Sequence, residues 1–233
     1  MTLKTQIDHL VVVAKTLDQG VQWCEATLGL TPGPGGRHAL MGTHNRLARI
    51  ATDAFPDAYL EIIAIDPEAA PPRRVRWFGL DDPLLQAQLK ASGPRLIHAV
   101  ARTAQLDMQR WALITLGLKP GNPVRAGRDT PEGPLAWQIL LRDDGALECG
   151  GALPTLIQWE GRHPAQGMPD SGLALQSLAL RGVPDRAREL LKLRGVDVQS
   201  AAGPALRAVL ATPLGPVALE SAPSHPAAPA PAA

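Results

Sequence analysis

The hydrophobic and polar positions change period along the first 66 residues. Residues 7–14 (IDHLVVVA) are β-branched and apolar, the pattern of a buried strand. From 16 to 28 the spacing becomes helical. Leu17, Val21, Cys24 and Leu28 fall on one face, Thr16 is placed to cap the N-terminus, and Gly29 suits the left-handed C-terminal position. Residues 31–36 (TPGPGG) cannot hold regular structure. Residues 46–51 (RLARIA) and 59–65 (YLEIIAI) return to strand patterning. The order is strand, helix, a loop or short strand, then two strands.

That order recurs. Residues 96–103 read as a strand and 106–116 as a helix closed by Gly117, while 134–142 and 154–159 read as later strands. A shorter third instance has a strand at 173–180, a helix at 185–193 closed by Gly195, and a hairpin of 206–211 with 216–220. A βαβββ unit cannot bury its sheet face alone, so repetition predicts paired units. The expected class is α+β, with repeated βαβββ modules forming a curved mixed sheet and helices outside. The division is 1–66, a linker at 67–94 with a short helix at 83–90, 95–160, and a third unit at 161–221. A Pro/Ala tail at 222–233 is expected to be disordered and dispensable.

Composition narrows the function classes. Aromatic residues are only 3%, so Leu, Val, Ile and Ala must fill the core. A net charge of +1 with no long basic run gives no electrostatic footprint for nucleic acid. No apolar run reaches membrane-spanning length, and the N-terminus shows no basic-then-apolar signal segment. Two cysteines, Cys24 and Cys149, make no disulfide framework, and Cys24 reads as a buried small hydrophobe. The expectation is a cytoplasmic protein whose partners are a small-molecule ligand and, at most, a second copy in a homodimer.

The IDHLVVVA strand, the helix ending in ATLGL and the YLEII strand resemble a first module of the vicinal oxygen chelate superfamily. The stretch GGRHALMGTHNRLARI, followed by YLEIIAIDP and RVRWFGLDD, is similar to its glyoxalase-like subfamily. The superfamily includes glyoxalase I, extradiol dioxygenases and fosfomycin-resistance proteins. The resemblance implies a divalent metal (Zn, Fe, Mn or Ni) in the concave sheet, held by a His on a module's first strand and a Glu on its last. His9 and Glu61 occupy those positions.

The residues themselves leave alternatives. Strict alternation puts Ile7, His9 and Val11 on one face of their strand and Asp8, Leu10 and Val12 on the other. Glu61 sits between Leu60 and Ile62, an expensive place for a carboxylate unless it is paired. A metal site and a structural His–Glu pair both fit that pattern. His98 stands in the second module where His9 stands in the first, and is the candidate third ligand; a core His is the alternative. The second module offers Gln158, a weaker neutral ligand, where a Glu is expected, so Gln158, Glu160 and Glu220 compete as the fourth ligand. His44 and Asn45 are candidates for proton transfer and substrate binding, and His38 belongs to the same segment. Arg76 and Trp77 are candidates to grip an anion and wall a pocket. His163 is a loop residue within reach of the same cavity. The functional expectation is a metal-dependent lyase, isomerase or dioxygenase acting on a small oxygen-rich molecule, with Glu61 as ligand or base. A metal-free binding module on the same fold is the alternative.

Overall fold

The computed structural model describes residues 5–199 and 203–221. Among these residues twelve strands form two sheets. Strands β1 (Gln6–Val13), β2 (Arg37–His38), β3 (Thr43–Arg49), β4 (Tyr59–Ile65), β5 (Arg95–Arg102), β6 (Asn122–Arg128), β7 (Leu135–Leu141) and β8 (Thr155–Glu160) make an eight-stranded sheet in the order β2-β3-β4-β1-β5-β8-β7-β6. Its two halves share one connectivity. β1 pairs parallel with β4, β5 pairs parallel with β8, and β1 and β5 join the halves antiparallel. The sheet curves until its edge strands β2 and β6 approach one another.

Helices α1 (Leu17–Leu28) and α3 (Leu106–Thr115) follow the first strand of each half, and α2 (Pro83–Ser92) lies between the halves. The expected caps of α1 are present. Thr16 accepts from the Gln19 amide, and Gly29 takes the left-handed conformation at φ 72. Leu10, Val12, Leu60 and Ile62 bury one face of the sheet together with Cys24 and Leu28 of α1. At about 25 cal/mol per Å² of apolar surface, burial of such side chains is the main force holding helix to sheet.

The third segment departs from the repeat. Strands β9 (Ala174–Arg181), β10 (Val196–Gln199), β11 (Leu206–Thr212) and β12 (Gly215–Glu220), with α4 (Asp185–Leu191), form a separate sheet in the order β10-β9-β11-β12. Its first strand pairs with its second and third, whereas β1 pairs with the last strand of its own half. The segment packs its apolar face, including Leu178, Leu180 and Leu206, into the same core cluster as Leu10 and Leu60. Strand β6 and the four-residue β10 were not expected from the sequence. The Pro/Ala stretch at 222–233 lies outside the described residues. No helix among the described residues is long and apolar enough to cross a membrane.

The inner face of the large sheet is divided along its length. Val13, Met41, Ile63 and Leu80 fill one end. His9, Tyr59, Glu61 and Asn45 stand toward the other, where a narrow cup opens.

Candidate functional site

The site begins with an irregularity in β1. Ile7 pairs with Ala101 and His9 with Val100, so Asp8 is an extra residue with no partner on β5. Such a bulge re-aims a side chain that alternation would send to the far face. Ile7 packs into the outer core with Leu10 and Val12, while Asp8 meets His9. The expected placement of Asp8 opposite His9 is therefore corrected by the bulge.

Asp8 is fully buried, with side-chain donors on both oxygens. Oδ1 lies 2.7 Å from Nδ1 of His9. Oδ2 accepts from Nε1 of Trp159 at 2.8 Å and meets Nε2 of His163 at 2.9 Å. Burial pushes its carboxyl up, but the hydrogen bonds from His163 and His9 outweigh that and hold it well below the usual carboxylate range. Nδ1 of His163 accepts from the Ala165 amide, so its Nε2 carries the proton given to Asp8. By the same reasoning an ionised Asp8, which only accepts, fixes a proton on Nδ1 of His9 and leaves Nε2 to face the cup.

Glu61 is held from the other side. Nδ2 of Asn45 donates to its Oε1 at 2.6 Å, and Oδ1 of Asn45 accepts from the Gly36 amide at 2.8 Å. Its Oε2 lies 3.6 Å from Nε2 of His9. That gap exceeds a hydrogen bond, so two anchored groups are directed toward one another with room between them. His9 stacks on Tyr59, its cross-strand neighbour, at 4.7 Å between ring centroids. Burial pushes the Tyr59 hydroxyl well above its ordinary value, and the charges of Asp8 and Glu61 push it further.

The rest of the cup is aromatic and apolar. The chain has five Trp, two Phe and one Tyr, and five of these eight residues line this one cavity: Tyr59, Trp77, Phe78, Trp137 and Trp159. Phe78 has φ 58, a strained value for a bulky residue, in the turn that buries both Trp77 and Phe78. Nε1 of Trp77 is buried without a partner among the described residues, so the wall holds an unused donor. His38 sits edge-on to Trp77 at 5.0 Å; burial, then the nearby charge of Arg128, lower its pKa to about 3. Its Nδ1 meets Oγ1 of Thr43 at 3.2 Å.

Of the residues expected from sequence, His9, Glu61, Asn45 and Trp77 meet in the cup. His98 does not join them. It lies on β5 opposite Val11, fully buried; Nδ1 bonds the Gly151 carbonyl at 2.9 Å, and Nε2 meets both the hydroxyl and the amide of Thr155. Burial lowers its pKa to about 4. Gln158 turns outward and accepts from the Leu106 amide at the start of α3. Glu160 pairs with Arg125, and Glu220 pairs with Arg207 on the second sheet. His44 stands on the alternate face of β3 from Asn45, with Nδ1 4.0 Å from Asp66. Arg76 clamps Asp81 at 2.6 Å and is not part of the cup wall.

Among the described residues no group of three or more His, Cys, Asp or Glu is placed to hold a metal. The second half of the sheet presents Ile139, Ile157, Trp137 and Trp159 to the cavity where further donors would stand. This donor set, two groups facing an apolar wall, does not fit an ion held by ligands from both modules. Asp8, Tyr59, Trp137, Trp159 and Arg128 were not singled out from sequence. The signal for Asp8 was present, as a second polar residue beside His9 in an otherwise apolar strand.

Two like-connected halves curved around a central cup define the fold of the vicinal oxygen chelate superfamily. Residues 7–193 match the family model described as the glyoxalase-like domain, and the chain belongs to that family. No curated protein matches the sequence. Among solved structures, the chain is similar to a hypothetical protein from Staphylococcus aureus at 14% identity, covering 94% of this chain and 86% of that one, with TM-score 0.58. Similarity also extends to methylmalonyl-CoA epimerase from Mycobacterium tuberculosis, at 17% identity over 67% of this chain and 87% of that one, with TM-score 0.38. A hypothetical protein from Bacillus halodurans C-125 matches at 10% identity over 68% of this chain and 95% of that one, also at 0.38.

Proposed function

We propose that this glyoxalase-like protein is an enzyme of the isomerase or lyase type that moves a proton on a small oxygen-bearing molecule, with His9 as the base and Glu61 as a second proton carrier. The observation that carries this reading is the pair His9 Nε2 and Glu61 Oε2, 3.6 Å apart at the cup, each anchored behind by a different partner. Asp8 orients the imidazole, and Asn45 orients the carboxylate.

The step is simple in atoms and electrons. A C–H bond next to a substrate carbonyl breaks, its proton passes to Nε2 of His9, and its electron pair moves onto the carbonyl oxygen as an enolate. Delivery of a proton through Glu61 to the opposite face of that carbon completes an isomerisation, whereas return from His9 to the same face gives exchange alone; loss of a neighbouring leaving group instead completes an elimination. The aromatic wall excludes water from the enolate and strengthens every polar contact made to it.

A divalent ion between His9 and Glu61 is the second reading. Its support is the same 3.6 Å separation, within the range two ligands of one ion adopt. The two protein donors would leave its remaining positions to substrate oxygens and water.

The test of the first reading is proton exchange. Small 2-oxo and 3-oxo acids are incubated with the protein and a chelator in deuterated water, and deuterium at the carbon beside the carbonyl is followed by NMR. Wild-type protein should catalyse exchange, and His9→Gln should slow it by about 10²–10⁴-fold, the usual contribution of a general base. Exchange that survives His9→Gln undiminished rules His9 out as the base.

A further inference from the structure

A second, wider cavity of about 390 Å³ adjoins the cup and shares Leu47, Arg128 and Pro164 with it. Arg128 therefore stands at the neck between an inner chamber that holds His9 and Glu61 and an outer one lined by Pro34, Arg49, Thr130 and Met168. Its position follows from the curvature of the sheet. Arg128 ends β6, one edge strand, and its guanidinium reaches across the seam onto Gly36, next to β2 at the other edge. A Cβ built on Gly36 would overlap Nη1 of Arg128.

The charges around the neck are unevenly satisfied. Arg49 donates to the Ala165 carbonyl at 2.7 Å and approaches Asp57. Arg162 bonds Thr130 and lies 3.6 Å from Glu132. Arg128 is half-buried and makes no ion pair or hydrogen bond to a side chain or carbonyl among the described residues. Its charge acts instead on His38. A guanidinium held at the mouth of an aromatic cup, with its fork free, matches the planar geometry of a carboxylate or the oxygens of a phosphate.

We infer that Arg128 is the anion-binding residue of the site, and that the ligand is a small organic anion whose carboxylate or phosphate lies at the neck with its carbon body against the aromatic wall. The inference rests on the proton-transfer reading only for which end of the molecule points inward. Groups too large for the inner cup extend into the outer chamber. Gly36 is part of the device, because any side chain there displaces the guanidinium.

Binding of unreactive probes tests this without using the reaction. Phenylacetate, phenyl phosphate and neutral phenylacetamide are titrated against the full chain, with quenching of tryptophan fluorescence as the readout, since three Trp line the cup. Either anion should bind at least about tenfold tighter than the amide, as expected when a charged hydrogen bond is added; the tighter of the two identifies the head group. Arg128→Gln should abolish the preference, and Gly36→Ala should do the same with the thermal midpoint little changed. Equal binding of anion and amide, an anion preference intact in Arg128→Gln, or no binding of either anion at millimolar concentration each overturns the inference. The two readings fail separately. An anion preference that persists in His9→Gln, in a protein that exchanges no deuterium, keeps the role of Arg128 and removes that of His9. Exchange that requires His9 but has an unchanged KM in Arg128→Gln does the reverse.

Discussion

Asp8 and His9 are neighbours in sequence, yet their side chains meet, Oδ1 to Nδ1 at 2.7 Å. In a regular strand they would point to opposite faces. The bulge between Ile7 and His9 brings them together, and Trp159 and His163 complete the ring of donors around Asp8 from more than 150 residues away. The base proposed here is thus positioned by a buried anion that ties both halves of the sheet and the loop after β8 into one unit.

Asp8→Asn keeps the shape and removes the charge. Three donors would then face one acceptor oxygen and an NH₂ group, and breaking such a buried set costs about 3 kcal/mol or more. Denaturant unfolding at neutral pH should show that loss, and an unchanged midpoint would mean the donors find other partners. Because the Asp8 carboxyl is depressed in the fold, its stabilising contribution is present above its ordinary value of 3.8 and is lost as pH falls below it.

His98 gives a second pH signature with the same direction but a different window. Burial lowers it from 6.5 to about 4. Between those values the unfolded chain binds a proton that the folded chain does not, so stability is lost as pH falls, by up to about 1.4 kcal/mol per pH unit. His38, lowered to about 3, adds to the slope. Chemical unfolding from pH 7 to 4.5 should show stability falling, and His98→Gln should make the slope shallower by close to one proton. An identical slope in the variant would contradict the buried neutral state of His98.

Gly35 is a point of close approach rather than a turn. A Cβ there would overlap the backbone carbonyl of Asn45 as well as its side-chain oxygen. Backbone cannot swing aside as the Arg128 side chain can, so Gly35→Ala should cost about 1–3 kcal/mol and loosen the Asn45–Glu61 contact. Gly36→Ala should cost far less. Equal thermal midpoints for the two variants would contradict this ranking.

Glu61→Gln separates the two readings of the cup. With no ion bound, removing a buried carboxylate while keeping the Asn45 contact should leave the thermal midpoint near the wild-type value or raise it. Zn, Mn, Fe and Ni should then move neither protein. A midpoint that climbs with added metal in wild type and stays fixed in the variant would establish the second reading.

Much of the frame was legible because it is local. The strand–helix pattern of residues 7–28, its caps at Thr16 and Gly29, and the YLEIIAI strand are short-range signals, and they place His9 and Glu61 on neighbouring strands. Strand β6 was not legible, since only Val124 and Ala126 alternate in NPVRAGR on a sheet edge, too short a signal to read as a strand, and Arg128 went unnoticed with it. The bulge at Asp8 escaped because a periodicity argument assumes an unbroken register. His98 illustrates the opposite limit. Repeat logic placed it correctly on the first strand of the second half, but only the fold shows that Gly151 and Thr155 occupy both of its nitrogens. Trp137 and Trp159 read as strand filler until curvature brings them across from His9.

The most direct measurement is the tautomer of His9, read from two-bond ¹⁵N–¹H correlations of the imidazole at neutral pH. We expect a proton on Nδ1, shared with Asp8, and none on Nε2, with the pattern lost in Asp8→Asn. A proton resident on Nε2 with Nδ1 bare would contradict the assignment of His9 as the base facing the cup.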